Sequence, residues 1–345
     1  MDLENKGGDA QRQPSHGGGK SSSTLKRDDT VEEESPEEVR RRNVKEAEML
    51  ASNLGESGGL TQHEIIADAA QLKCLAQLHE STEWLAHRLT AFTADLLLQH
   101  RGPQDGAYPA VGAGVPRISV TNVDGIPELP EQLIKSLHQL TAAFDELANT
   151  CLLVLHLEVR VQCFYYLLPM GGGSGVGGGG GGGGTGALTS QEPDPMVLEL
   201  SRVLCAIDEA MASSLQARKS KYVFEGLGHL IAKILTSSTQ FVARIDEECI
   251  RRMCRNIFIL QQTLTNITLA RETALDHAKH YFQLFYLTPD EILNGVMEKG
   301  AEFSELEYMN AFQLIQRSRQ SADPTSIQRH MQRLSDILGE VGVTV

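Results

Sequence analysis

The sequence has little glycine outside two regions. Of its 32 glycines, thirteen lie between residues 171 and 186 and eight lie before Leu60. No G-X-Y repeat runs through the 345 residues, and this excludes a collagen-like chain. The glycine-poor remainder is also a poor match for a turn-rich all-β domain, so a helical class is favoured.

Paired cysteines are also missing. None of the six cysteines forms a C-x₂-C pair, and the closest two, Cys249 and Cys254, have no histidine or second pair beside them. A zinc site is therefore not expected. We expect reduced and mostly buried thiols, because a long chain without a secretory signal rarely keeps disulfides. The cysteines are Cys74, Cys151, Cys163, Cys205, Cys249 and Cys254.

Long apolar runs are scarce as well. The first twenty residues hold no apolar core, so a signal peptide is not expected. The most apolar stretch, from Cys151 to Leu168, contains Glu158 and Arg160. Charges in mid-span are unfavourable in lipid, so this stretch predicts a buried element and not a transmembrane helix.

An excess of positive charge is absent too. The net charge is −14, divided into −4 over residues 1–60, −8 over 61–195 and −2 over 196–345. No segment is a basic domain, so the sequence predicts no nucleic-acid partner. An acidic balance favours solubility but does not define a fold.

Motifs that carry chemistry are incomplete. The run before Lys20 resembles a phosphate-binding loop, but Pro14 stands where that loop needs glycine, and no strand precedes it. Two His-Glu pairs lack the second histidine of a zinc protease, since Ala67 and Glu83 occupy that position. No nucleophile elbow is present. The sequence predicts a protein that is not an enzyme, with no catalytic residues, no metal and no cofactor.

Helical periodicity and helix caps dominate the rest of the chain. Apolar residues recur in steps of three and four, and the stripes that they form are expected to be core. Together they predict an all-α architecture of antiparallel helical bundles. Five N-terminal caps support the helix starts: Thr61 with Glu64, Asp194-Pro195, Thr288 with Glu291, Ser304 with Glu307, and Asp323-Pro324.

Composition divides the chain into four parts. Residues 1–60 are polar and predict a disordered tail, with a short helix near 36–54. Residues 61–168 predict a helical bundle that contains a proline-rich loop at 101–130. Residues 169–193 predict a glycine-rich flexible linker, and 194–345 a C-terminal helical bundle.

One basic cluster could contact anionic lipid. It consists of Arg251, Arg252 and Arg255. Three acidic residues at 246–248 come directly before it and cancel its local charge. A solvated helix face is therefore favoured over weak lipid contact, but both interpretations stay open.

Several long segments resemble the exocyst complex component 4 family. They lie at residues 72–85, 151–168, 224–231, 253–268 and 304–311 and follow the family's order. The resemblance implies rods of stacked helical bundles and a non-catalytic subunit that tethers post-Golgi secretory vesicles to the plasma membrane before fusion. It also implies other exocyst subunits as partners, with components 1, 2 and 3 foremost, and a cytoplasmic, peripherally recruited location.

The same resemblance bears on the two ends of the chain. It matches the C-terminal third of family members, so we expect a fragment that lacks their coiled-coil pairing segment. Family members end in Thr-Thr-Val, a ligand for PDZ domains, which capture a terminal carboxylate. Here the end is Val343, Thr344 and Val345. A PDZ partner and a frayed tail both remain open, and the alternative function is a stand-alone lipid- or PDZ-binding adaptor.

Overall fold

The computed structural model describes residues 35–55, 60–100, 130–170, 192–319 and 324–341. Those ranges contain eleven α-helices and no strand, so the predicted all-α class is confirmed. The helices are α1 (Pro36–Gly55), α2 (Ala69–His100), α3 (Glu131–Leu167), α4 (Pro195–Ala212), α5 (Ala217–Phe224), α6 (Leu227–Ser238), α7 (Glu247–Thr268), α8 (Thr273–Gln283), α9 (Pro289–Lys299), α10 (Glu305–Arg319) and α11 (Pro324–Val341). Four short 3-10 turns lie at Gln62–Glu64, Leu168–Met170, Thr239–Phe241 and Leu284–Tyr286.

Three of the predicted caps hold helix N-termini. The Asp194 carboxylate accepts the backbone N–H of Met196 at the start of α4. Thr288 and Glu291 form a reciprocal capping box at α9. The same pairing joins Ser304 to Glu307 at α10. Each cap satisfies N–H groups that the helix itself leaves without an acceptor. The predicted cap at residue 323 lies outside the described residues.

The capping box at Thr61 is present, but it does not begin the long helix. Thr61 and Glu64 enclose only a 3-10 turn, and α2 starts five residues after it. Between them the backbone N–H of Ile66 donates to Glu158 of α3 over 2.7 Å, and the Ile66 carbonyl accepts from Gln162 over 3.2 Å. These two bonds replace helical ones, so a distant helix decides where α2 begins.

Helix α1 lies inside the predicted polar tail. A short helix near 36–54 is confirmed, and its Ala47 is buried against α6. Small and polar residues such as Ala47 and Asn43 allow α1 to pack closely on α6 without a large apolar face. Residues 1–34 and 56–59 of the predicted tail lie outside the described ranges.

The predicted bundles at 61–168 and 194–345 share one hydrophobic core. Leu155 and Phe164 of α3 belong to the same buried cluster as Leu200 of α4, Leu260 of α7 and Phe312 of α10. Residues 155–161 alternate between apolar and polar side chains like a strand, but they lie within α3. Most of the predicted loop at 101–130 and linker at 169–193 lies outside the described ranges.

The cysteines are all free, but the prediction that they are mostly buried is only partly right. Cys151 and Cys163 are buried, and burial raises the pKa of the Cys163 thiol to about 12. Cys74 and Cys205 are exposed because each lies on the outward face of its helix. The other two, at 249 and 254, are half-buried.

One helix of the described part, α3, is long and apolar enough to cross a bilayer by length and composition alone. Its second half packs inside the protein, where Glu158, Arg160 and Gln162 are buried and hydrogen-bonded. Buried charged groups with protein partners are typical of a core helix, in agreement with the predicted buried element.

Candidate interaction surface

Helices α2 and α3 form an antiparallel hairpin. The His79 ring Nδ1–H on α2 donates to the Ala148 carbonyl of α3 over 2.7 Å, which sets the register. Further along α2, Ala86 and Thr93 are buried toward α3. On α3, Ala148 and Leu155 are buried at the same seven-residue spacing. Buried positions that recur every seven residues on both helices are typical of a coiled coil.

A second set of apolar residues on this hairpin is exposed or half-buried. On each helix, every member of this set directly precedes a position of the buried series in the sequence. The members therefore repeat every seven residues. Phe92 is 54% exposed and Leu140 is 46% exposed, although both are large and apolar. We call this set the apolar edge; it consists of Leu78, Leu85, Phe92, Leu133, Leu140, Leu147 and Val154.

Both halves of the apolar edge lie on the same side of the hairpin. Consecutive residues of an α-helix are rotated by 100° about the helix axis. Because Ala86 faces α3, Leu85 points to one side of the hairpin. Leu147 has the same offset from Ala148 on α3. Because the two helices run in opposite directions and face each other, equal offsets bring both stripes to one side. The hairpin therefore carries a continuous apolar groove on this side.

The floor of this groove is formed by partly buried side chains between the two stripes. Leu89 of α2 and Leu137 and Phe144 of α3 are half-buried there. Within the described ranges, no hydrogen bond or ion pair joins residues 84–98 or 131–147 to an element outside the hairpin. The outer half of the hairpin thus exposes an apolar surface of the kind that marks an interaction site.

The opposite side of the hairpin differs in composition. We call it the polar edge; it carries Glu83, His87, Thr90, Lys135, His138 and Asp145. His87 and His138 are exposed, as expected for a solvated surface. Since only one edge is apolar, the hairpin is amphipathic across its width and not merely hydrophobic throughout.

An ionic cluster on the polar edge ties α2 to α5. The Lys219 ammonium donates to Glu80 over 2.9 Å and also to Glu83. Burial lowers the pKa of Lys219, but the hydrogen bonds that its ammonium donates to Glu83 and Glu80 outweigh this effect and raise the pKa overall. His79, Glu80 and Glu83 are close enough to hold a metal ion. They do not fit one, because the Lys219 ammonium already bonds both carboxylates and would repel a cation placed there.

A second ionic cluster joins α1 to α3 and to the turn before α6. Arg160 is 2% exposed and donates Nε–H to Glu46 over 2.6 Å. Its terminal nitrogens donate to the carbonyl oxygens of His156, Val223 and Glu225. The guanidinium is therefore paired and hydrogen-bonded, the condition under which a buried charge is tolerated.

The Glu46 carboxylate is strongly acidic in this cluster. Burial alone would raise its pKa, but hydrogen bonds from His156 and Arg160 and the Arg160 charge lower the pKa of Glu46 to about 2. The His156 ring also stacks on Tyr222, with ring centres 4.5 Å apart. The cluster joins α1 to α3 and to the turn before α6, so we assign it a structural role.

A cleft of about 490 Å³ lies between α1, α6, α8 and α10. Arg40 and Lys233 line it together with Glu48 and Glu307, and Lys233 lies 3.6 Å from Glu307. Burial, reinforced by the Arg40 charge, lowers the pKa of His229 in its wall. Neither sign of charge prevails, so the lining selects no ligand class.

The predicted lipid-contact residues lie on α7. Arg251 and Arg252 are exposed and Arg255 is half-buried. Arg251 forms an ion pair with Glu247 over 3.5 Å, one helical turn away. The predicted PDZ ligand, Val343–Val345, lies outside the described residues. Both sites therefore stay predictions.

Sequence reasoning missed the groove. It assigned the apolar stripe of α2 to the core, but Leu78 and Phe92 of that stripe are exposed. A signal was present in the sequence: Leu133, Leu140 and Leu147 repeat every seven residues beside a separate inward-facing series. Two adjacent apolar series on one helix indicate contact with two neighbours, whereas a single series indicates one.

The fold and the surface together define an all-α helical-bundle protein with an exposed apolar groove of the protein-interaction type. No protein-family model matches the chain. Over 304 residues, 88% of its length, it is 46% identical to exocyst complex component 4 of Drosophila melanogaster and 41% identical to that of Homo sapiens. Identity to the protein of the same name from Caenorhabditis elegans is 30% over 308 residues. The chain belongs to the exocyst complex component 4 family.

The chain spans 29% of the length of the fly and human relatives. The similarity covers most of the helices described above, including the α2–α3 hairpin and the shared core. It confirms the resemblance seen in the sequence.

Proposed function

We propose that the chain is part of a non-catalytic subunit of the exocyst, which tethers post-Golgi secretory vesicles to the plasma membrane before fusion. The observation that carries this proposal is the 46% and 41% identity to curated exocyst component 4 proteins over 88% of the chain. The all-helical architecture supports it, because helical bundles supply extended surfaces for protein contacts.

In this proposal the chain works by binding other subunits. Components 1, 2 and 3 of the exocyst are the partners that we expect first, and the location is cytoplasmic with peripheral recruitment to sites of exocytosis. The exposed apolar groove on the hairpin supports a role in assembly, since such surfaces mark sites of protein interaction.

Affinity purification tests the proposal. The protein is tagged at its own locus, the cytosolic fraction is purified under low-salt conditions, and co-purifying proteins are identified by mass spectrometry. We expect several other exocyst subunits in similar amounts. A tagged cytosolic protein of the same abundance provides the control, and recovery of no exocyst subunit above that control contradicts the proposal.

The second candidate is a stand-alone adaptor that binds anionic lipid or a PDZ domain. The exposure of Arg251 and Arg252 on α7 supports lipid binding, and the ion pair with Glu247 opposes it. Flotation with liposomes that contain or lack phosphatidylserine separates the candidates. Under the adaptor proposal, Arg251→Glu/Arg252→Glu abolishes flotation; under the exocyst proposal, the same variant still recovers other subunits.

A further inference from the structure

The apolar edge has the dimensions of a docking site for one helix. From Leu133 to Val154 it follows 21 residue steps of α3, or about 30 Å, and from Leu78 to Phe92 about 20 Å of α2. The heptad repeat on both walls matches the repeat of a third helix laid between them. A strand or an irregular segment would not meet side chains at this spacing.

The sequences of residues 1–34 and 101–129 lack the apolar heptad stripe that such a helix needs. Apart from Met1, the large apolar residues of 1–34 are Leu3, Leu25 and Val31, and their spacing fits no single helix face. Residues 101–129 carry prolines at 103, 109, 116 and 127, which leave no helix-compatible stretch of the required length.

The charges beside the groove favour a protein helix over a membrane. The α2 flank carries one cation and one anion, Arg88 and Asp95, seven residues apart, and Arg88 lies over the Trp84 ring. The corresponding positions on α3, Ser136 and Thr150, are uncharged. A surface that lies on anionic lipid needs several basic residues beside its apolar face, and this flank does not provide them.

A second copy of this chain fits less well. If two hairpins met groove to groove, the helices of one would lie directly on the helices of the other. No side chain would then be inserted between the floor residues Leu89 and Phe144. A single helix centred over the groove contacts both stripes and covers the floor. This is the arrangement that gives knobs-into-holes packing.

We infer that the groove binds one amphipathic α-helix of about 15–20 residues from another subunit of the complex. That helix has an apolar heptad stripe toward the floor. On the side that faces α2, the bound helix has an acidic residue near Arg88. Two helical turns away on the same side, it has a basic residue near Asp95. This inference rests on the proposed function and adds to it the place and the kind of contact.

Site-specific photocrosslinking in cells tests the inference. Leu85 or Leu140 of the apolar edge is replaced by p-benzoylphenylalanine in the tagged full-length protein, and crosslinked peptides are mapped by mass spectrometry. His87 and His138 on the polar edge provide matched positions. We expect both apolar-edge probes to crosslink to one helical segment of another exocyst subunit, and the polar-edge probes not to reach it.

A paired substitution measures the contact. Leu85→Glu/Leu140→Glu should lower recovery of the crosslinked subunit by about tenfold or more, since burying a carboxylate in an apolar groove is strongly unfavourable. His87→Glu/His138→Glu should leave recovery unchanged. Circular dichroism melts of both variants check folding; because the four side chains are exposed or half-buried, we expect both to fold.

The experiment distinguishes failure of the helix-binding inference from failure of the proposed function. If no exocyst subunit co-purifies with the unsubstituted protein, the proposed function fails. If subunits co-purify but the apolar-edge probes crosslink to another part of the same subunit, to a second copy, to phospholipid, to a non-helical segment or to nothing, the inference is overturned and the proposed function stands.

Discussion

Arg160 and Glu46 form a buried ion pair between α3 and α1, with Nε and Oε1 2.6 Å apart. Arg160 is almost fully enclosed, whereas 24% of the Glu46 side chain is exposed. The pair attaches the first helix to the central helix of the shared core. Because the two residues are 114 positions apart, the contact depends on the complete fold.

Removal of the Glu46 charge should destabilise the protein. Glu46→Gln leaves the Arg160 guanidinium buried without a counter-charge, so we expect the free energy of unfolding to fall by about 2–4 kcal/mol. Urea denaturation followed by circular dichroism measures this change. Glu48→Gln, at an exposed site on the same helix, provides the control and should change stability by less than about 0.5 kcal/mol.

Acid should weaken the same contact. The pKa of Glu46 is lowered from 4.5 to about 2 in the folded chain, so folding favours its ionised form. The resulting stability is fully present above about pH 4.5 and is lost as the pH falls toward 2. Unfolding free energies measured from pH 6 to 3 should decline less steeply in Glu46→Gln than in the unsubstituted protein. Parallel slopes would contradict this assignment.

Gly226 should not tolerate a side chain. Its φ of 76° lies in the left-handed region, and an added Cβ would come within 2.9 Å of the Asn43 side chain. We expect Gly226→Ala to lower the free energy of unfolding by about 1–2 kcal/mol. Gly295→Ala is the matched control, since nothing lies within 4 Å of its added Cβ inside α9. That control should stabilise the protein by about 0.5–1 kcal/mol.

Leu260 is a core residue of α7 with no exposed surface. Leu260→Ala should lower the free energy of unfolding by about 2–5 kcal/mol, because the lost side chain leaves a cavity. Phe258 on the same helix is 53% exposed, and its replacement by alanine should cost less than about 1 kcal/mol. Equal effects of the two substitutions in thermal or urea denaturation would show that α7 packs differently.

Local chemistry made part of this structure predictable. The helix class and the caps at Thr288 and Ser304 follow from side chains within a few residues of one another, and the structure confirms them. The Thr61 cap was also found, but the extended segment after it was not, because the bonds that hold Ile66 come from Glu158 and Gln162 on α3.

The groove was only half predictable for the same reason. Heptad spacing at Leu133, Leu140 and Leu147 is a property of the sequence, and it predicts a helix with an apolar stripe. Whether such a stripe is covered depends on the helices that pack beside it. Here α3 covers one series of α2, and the described structure leaves the neighbouring series exposed.

The sequence by itself determined the all-α class, the starts of α4, α9 and α10, and the family, since each depends on residue types at short spacings or on matched segments. Only the tertiary structure decided that α1 docks on α6, that Arg160 is buried against Glu46, and that the hairpin has one apolar edge. The physical reason is that periodicity is a local property, whereas burial and ion pairing arise between elements far apart in the chain.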